Sequence, residues 1–328
     1  MESFTDLIDL ASERLGGAVL IANDEFFAPK EALLKPTAPE WRADAFTERG
    51  KWMDGWETRR RRTPGHDWAI IRLGAPGVVR GVVIDTTHFT GNYPESASID
   101  ATSVYNAPSV EWLAGSEPRW DTLVGGTKLN GNAPNEIAVE NERLFTHLRL
   151  NIFPDGGVAR LRVHGEVIPP EGLYINGREF DLAAMENGGY VISCSDMHYG
   201  HRQNLILPGR STHMADGWET RRRRGPGHDW SIVRLARRGL VQRIEIDTDH
   251  FKGNAPGSYM IETADNVDIG GKFNPDKATW KPFVRESPAQ PHSRWQVTRT
   301  EPQLATHVRL NIYPDGGVAR MRVFGTVE

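Results

Sequence analysis

The chain has 328 residues, 38% of them hydrophobic and 25% charged, and a formal net charge of −4. That balance supplies enough apolar surface for a packed core and excludes a disordered chain, while no apolar run approaches the roughly 18 residues of a membrane helix. A slightly acidic chain whose arginine runs lack any base-stacking pattern is also expected to bind neither nucleic acid nor membrane.

In chain order, the N-terminal Met-Glu-Ser-Phe-Thr-Asp has neither the basic start nor the apolar stretch of a secretory signal. With Cys194 the only cysteine, no intramolecular disulfide forms, and both features predict a soluble cytoplasmic protein. Asp6 to Glu13 reads as a short helix. Ala69, Ile71 and Leu73 fall on one face of an alternating run and predict a strand over Asp67–Leu73, which Gly74-Ala75-Pro76-Gly77 should end before a second strand, Val79–Thr86. Those two are expected to pair as a hairpin. Leu148, Leu150 and Ile152 mark another strand, and Pro154-Asp155-Gly156-Gly157 is expected to turn it into a partner over Val158–Val163. Phe180 to Met185 again reads as a short helix. Trp56, Trp68, Trp218 and Trp230, at strand starts in an alternating pattern, are expected in the core.

The chain repeats itself. Asp54–Leu73 returns as Asp216–Leu235 with 17 of 20 positions identical, and His88-Phe89-Thr90-Gly91-Asn92 returns as His250-Phe251-Lys252-Gly253-Asn254. Arg149–Arg160 returns as Arg309–Arg320 with one difference. The first copy carries extra residues around Thr37 to Arg49. Copies of this length are tandem domains and not short solenoid units. The expected organisation is therefore two all-β jelly-roll sandwiches, residues 1–168 and 173–328, joined by a Pro-Pro linker over 169–172.

The predicted hairpin brings Gly65-His66-Asp67 to the same end of the sandwich as His88 and Asn92, and Arg59 to Arg62 lead into that end. The second copy assembles Arg221 to Arg224, His228, Asp229, His250 and Asn254 in the same way. Loops at one end of a rigid sandwich commonly carry function. Four arginines in a strand alternate between faces, so at most two of each run can meet one ligand. A His-Asp step at a strand head serves equally well as a structural hydrogen bond.

Trp68 to Ile84, with alternating valines and isoleucines after Leu73-Gly74, resembles the core strands of discoidin and galactose-binding-like jelly rolls. More specifically, Phe26 to Lys30, Gly50 to Arg62, Pro64 to Trp68, His88 to Pro94 and the Arg149–Arg160 element together resemble the allantoicase family, from about residue 16 to the C-terminus. That resemblance implies hydrolysis of allantoate to ureidoglycolate and urea in purine and allantoin catabolism. The substrate has one carboxylate and two ureido groups on one carbon, so an arginine should grip the carboxylate and acidic or amide groups should accept from ureido N–H. Urea is a poor leaving group and needs a general acid; a base or metal-bound hydroxide must supply the oxygen.

Candidate catalytic residues are accordingly His66, His88, His228 and His250, with Asp67 and Asp229 as orienters. Candidate substrate-binding residues are Glu57, Arg60, Arg62, Asn92, Glu219, Arg222, Arg224 and Asn254, with Asp24 and Asp196, the only residues common to the two divergent early segments. His198 and His201, beside Asp196, are metal-ligand types, but a chain leaving a strand does not put both rings on one face; a divalent metal is compatible with the reaction and none is demanded. The repeats imply either two similar sites or one shared site. Homo-oligomerisation stays open. The alternative from another class is a non-catalytic tandem carbohydrate-binding protein, against which stands the density of titratable groups in each loop cluster.

Overall fold

The computed structural model describes residues 3–175, 177–266 and 273–328, in two compact units, Met1–Ile168 and Pro169–Glu328. Each unit is built on one 19-residue strand, Asp67–Asp85 in the first and Asp229–Asp247 in the second. Kept straight, such a strand would reach about 60 Å, whereas a unit of this size is only about 40 Å across, so it must bend. Its first half pairs with Leu144–Phe153 and Ala18–Ala22. Its second half pairs with Arg160–Val167 and Pro134–Ala138. One strand thus serves two layers of a sandwich, turning the corner near Gly74–Gly77, where a Cβ on Gly77 would lie 2.4 Å from the Glu166 carbonyl oxygen.

Two expected hairpins are therefore absent. Asp67–Leu73 and Val79–Thr86 are halves of one continuous strand and do not pair with each other. The strands on either side of Pro154-Asp155-Gly156-Gly157 also pair with the long strand and not with one another. The turn crosses between layers, and Gly157–Val158 within it pairs with Trp56–Glu57. Period-two alternation reveals a strand but not which edge it meets, and glycine and proline at a corner look the same as at a turn. The bend nevertheless returns the chain to its starting end: Asp67 lies opposite Ile152 and Asp85 opposite Arg160, with only the turn between those partners.

Neither expected short helix forms. Asp6–Glu13 contains the strand Ile8–Asp9 and the start of the 3-10 turn Glu13–Leu15. Phe180–Met185 overlaps the strand Glu179–Asp181 and the 3-10 turn Met185–Asn187. Asp9 and Asp181 cause this: each carboxylate accepts from the backbone N–H two residues on and from an adjacent strand, Val163 or Val323, offering the chain an alternative to helix. The α-helix among the described residues is Val110–Ala114, where the Ser109 hydroxyl caps the Trp112 N–H at 3.2 Å.

Leu148, Leu150 and Ile152 are fully buried, as are Ile70, Val82 and Ile84 of the long strand. Trp56 and Trp218 are in the core, while Trp68 and Trp230 are half-buried. The second unit joins the counterparts of Pro134–Ala138 and Leu144–Phe153 into a single strand, Arg294–Tyr313. No helix among the described residues is long and apolar enough to cross a membrane.

Each unit buries one histidine beside a threonine: His147 Nδ1 lies 2.8 Å from Thr146 Oγ1, and His307 Nδ1 2.9 Å from Thr306 Oγ1. Burial, aided by Arg72 and Arg234 respectively, lowers both imidazoles to about 4. The unfolded chain then binds more protons below pH 6.5, so stability from each histidine is present above that value and lost as pH falls toward 4. Asp9 and Asp181, raised by burial, Asp181 to about 6, work in the opposite direction. The difference between variants isolates the histidines. H147Q/H307Q should lose less stability than the parent between pH 6.5 and 4.5 in urea titrations; equal losses would contradict the assignment.

Candidate active site

In each unit, the site-bearing segment starts from a buried indole. Trp56 donates its Nε1–H to the Asp24 carbonyl at 2.8 Å, and Trp218 does the same to Asp196. Thr58 is then tied to Gly156, its N–H donating to the Gly156 carbonyl and its hydroxyl accepting from the Gly156 N–H, both at 3.1 Å. From that anchor run Arg59 to Arg62, outside the two-residue strand Trp56–Glu57 and not within a strand as expected.

The four arginines still alternate. Arg59 donates to Asp24 through its backbone N–H at 2.9 Å and its Nε at 2.8 Å. Arg61 donates its backbone N–H to Asp155 at 2.8 Å and its guanidinium to Asp67 at 2.7 Å. Arg60 and Arg62 are exposed and have no partner among the described residues. The second unit repeats the pattern: Arg221 binds Asp196, Arg223 binds Asp315 and Asp229, and Arg222 and Arg224 are exposed without such partners. Burial of Asp24 is outweighed by N–H donors from Arg59 and Phe26 and by the Arg59 guanidinium, so its carboxyl titrates below the usual range; Asp196 follows with Arg221 and His198.

Between these side chains in the first unit lies an open cleft of about 340 Å³, bordered by Asn23, Asp24, Arg59 to Arg62, Thr63 and Asp67. Asp67 is 1% exposed. Its Oδ1 takes bonds from Arg61 and Asn23, while its buried Oδ2 has no partner, leaving acceptor capacity beside the cleft. In the second unit Ser195 replaces Asn23 and donates to Asp229 at 2.9 Å.

The remaining candidates lie elsewhere in the loop cluster. His66 packs on Phe153 at 4.7 Å between ring centroids, and His228 on Tyr313 at 4.6 Å. No hydrogen bond joins either ring to the neighbouring Asp67 or Asp229, whose Oδ1 atoms bind Arg61 and Arg223 instead. His88 and His250 take left-handed backbone conformations, with φ of 72° and 70°. The His88 ring lies 5.6 Å from Trp41, its Nε2 3.3 Å from the Pro39 carbonyl oxygen, so the first unit's extra segment covers it. His250 Nε2 lies 3.1 Å from the Ser211 carbonyl oxygen. Asn92 donates to Glu57 at 2.7 Å and Asn254 to Glu219 at 2.5 Å. Burial raises the Glu57 carboxyl, against the Asn92 bond. Among the described residues, no three His, Cys, Asp or Glu side chains, including Asp196, His198 and His201, are gathered as a metal centre needs.

Of the residues that organise the arginines, Asp24, Asp67, Asp196 and Asp229 were among the candidates, whereas sequence reasoning missed Asp155 and Asp315, which hold the backbone of Arg61 and Arg223, and Asn23 and Ser195, which bind Asp67 and Asp229. Asn23 and Ser195 differ between copies, and Asp155 and Asp315 read as turn formers. The recurrence of Pro-Asp-Gly-Gly at 154–157 and 314–317, within the repeated element, is the signal that was available for Asp155 and Asp315.

The family model for the allantoicase repeat matches residues 8–168 and again 180–328. The chain belongs to the allantoicase family. It is 47% identical over 328 residues to "Probable allantoicase 2" of Burkholderia pseudomallei, covering 97% of this chain and 94% of that protein. It is 44% identical over 324 residues to "Allantoicase" of Dictyostelium discoideum, covering 97% of this chain and 87% of that one. Among solved structures, the Saccharomyces cerevisiae allantoicase superposes with a TM-score of 0.83 at 35% identity, over 97% of this chain and 92% of its own. The alternation of bound and unbound arginines is thus set in an allantoicase framework along its whole length.

Proposed function

We propose that this protein hydrolyses allantoate to ureidoglycolate and urea. The observation that carries the reading is identity of 44–47% over nearly the entire chain to proteins named as allantoicases or probable allantoicases, which favours the enzyme over a carbohydrate-binding module. The loop cluster supports it. Arg60 and Arg62, and in the second unit Arg222 and Arg224, offer unpaired guanidinium groups to the substrate carboxylate. Asp67 Oδ2 and its counterpart region at Asp229 offer acceptors for ureido N–H. Asp24 and Asp196 hold Arg59 and Arg221, keeping those cations out of competition.

In the reaction, the bond between the central carbon and one ureido nitrogen breaks, water oxygen bonds to that carbon, and the departing nitrogen takes a proton to leave as urea. His66 and His228 move those protons in this reading, because an imidazole both accepts and donates near neutrality. Glu57 with Asn92, and Glu219 with Asn254, brace the cluster, and His88 and His250 carry its outer wall.

Purified protein incubated with allantoate is expected to release urea and ureidoglycolate. No urea, with or without added divalent metal, would overturn the reading. H66Q and H228Q measured separately then assign the chemistry to units: loss of all activity from one substitution excludes two independent, equal sites.

A further inference from the structure

The outer face of strand Arg294–Tyr313 carries Arg309, Asn311 and Tyr313 in alternate positions, while Val308, Leu310 and Ile312 fill the core. Asn311 is only 2% exposed, although it lies on the face away from the core. A buried amide in such a place is costly unless its hydrogen bonds are made. Its Nδ2 donates to Glu262 Oε2 at 2.9 Å and, at the longer distance of 3.5 Å, to the Met260 carbonyl, and the Glu262 carboxylate is paired with Arg309 at 2.6 Å. The other end of the amide is therefore its oxygen, which only accepts, and it faces His228 Nε2 at 3.1 Å. In the neutral ring the proton must then sit on Nε2 and the lone pair on Nδ1.

The first unit carries His66, Asn151 and Arg149 at the matching positions, but the acid is one methylene shorter, Asp100, and Ser98 replaces Met260. Asn151 Nδ2 is divided between Asp100 at 2.9 Å and Ser98 at 3.1 Å. Its Oδ1 is buried and has no partner among the described residues. The imidazoles stack alike on Phe153 and Tyr313, yet only His228 is held by the amide.

We infer that Asn311, oriented by Glu262 and Arg309, is a positioning residue that locks neutral His228 with its lone pair on Nδ1, and that the first unit lacks this lock at His66. The inference extends the proposed role of His228 as the proton-moving group of the second unit.

The test exchanges the two units' own residues, each of which already occurs in a folded copy: M260S/E262D in the second unit and S98M/D100E in the first. Imidazole nitrogen NMR above pH 8, with resonances assigned through H66Q and H228Q, is expected to show His228 protonated at Nε2 in the parent. M260S/E262D should give a mixture of tautomers and lower kcat roughly tenfold or more with little change in KM. S98M/D100E should move His66 toward the Nε2–H form. A parent His228 protonated at Nδ1, or a His228 spectrum unchanged by M260S/E262D, would overturn the lock. A tautomer shift at unchanged kcat would leave the lock standing and overturn His228 as the proton-moving group.

Discussion

Arg160→Met should destabilise the first unit by about 3–5 kcal/mol, the usual penalty for leaving one partner of a buried ion pair behind. Arg160 is 1% exposed. Its guanidinium meets Asp54 Oδ2 at 2.5 Å and donates to the carbonyls of Thr37, Ala38, Asp54 and Ala159. Burial of Asp54 would raise its carboxyl, but bonds from Arg160, Lys35 and the Glu40 N–H outweigh it and bring the group to about 2. Above that value the carboxylate is charged, so loss of Arg160 leaves a buried anion with Lys35 as its remaining cation. D54N/R160M should recover part of the loss, because removing both charges removes the mismatch. Urea denaturation of both variants decides the matter, and R160M within 1 kcal/mol of the parent would refute it. Hydrogen exchange should rise selectively over residues 35–51, because the carbonyls of Thr37 and Ala38 lose their donor.

The second large effect is on substrate affinity. Removing all four unpaired arginines in R60M/R62M/R222M/R224M should raise KM for allantoate by roughly a hundredfold, since hydrogen bonds to a charged group contribute about 1.5–3 kcal/mol each. These side chains are exposed and hold nothing else among the described residues, so the thermal transition should stay within a few degrees of the parent. An unchanged KM would remove them from the carboxylate site. The two double variants localise the effect: if both units turn over substrate independently, R60M/R62M leaves a population with parental KM and reduced kcat.

The duplication, the all-β character and the core identity of Trp56 and Trp218 were legible because they depend on local alternation and on identical stretches recurring far apart. Pairing was not. Gly74 to Gly77 look like a stop, yet the strand runs through them, because the alternation cannot show that Asp67–Leu73 and Val79–Asp85 meet different neighbours in different layers. The rule that alternate arginines face apart did apply, although the segment lies outside a strand, since Asp24 and Asp67 capture Arg59 and Arg61. What remained hidden were contacts made by distant residues of ordinary appearance. Asn151 and Asn311 sit in an alternating strand pattern, and only the fold reveals that their amides are covered. The metal-ligand types His198 and His201 show the converse, since spacing alone did not gather them with Asp196.

The bent 19-residue strand also governs how each unit is born. Its ends in the first unit find partners 85 and 75 residues further along, Ile152 for Asp67 and Arg160 for Asp85. Nearly every stabilising pairing of that strand is with chain made later, apart from the short Ala18–Ala22 edge. Such distant closures are slow, because loop entropy must be spent before any contact offsets it. On the ribosome, the first unit stays incomplete until Val167 has emerged, and its copy then repeats the wait. Duplication therefore gave this chain two long-range closures in succession, each waiting on the last strand of its own copy, Arg160–Val167 and Arg320–Val327.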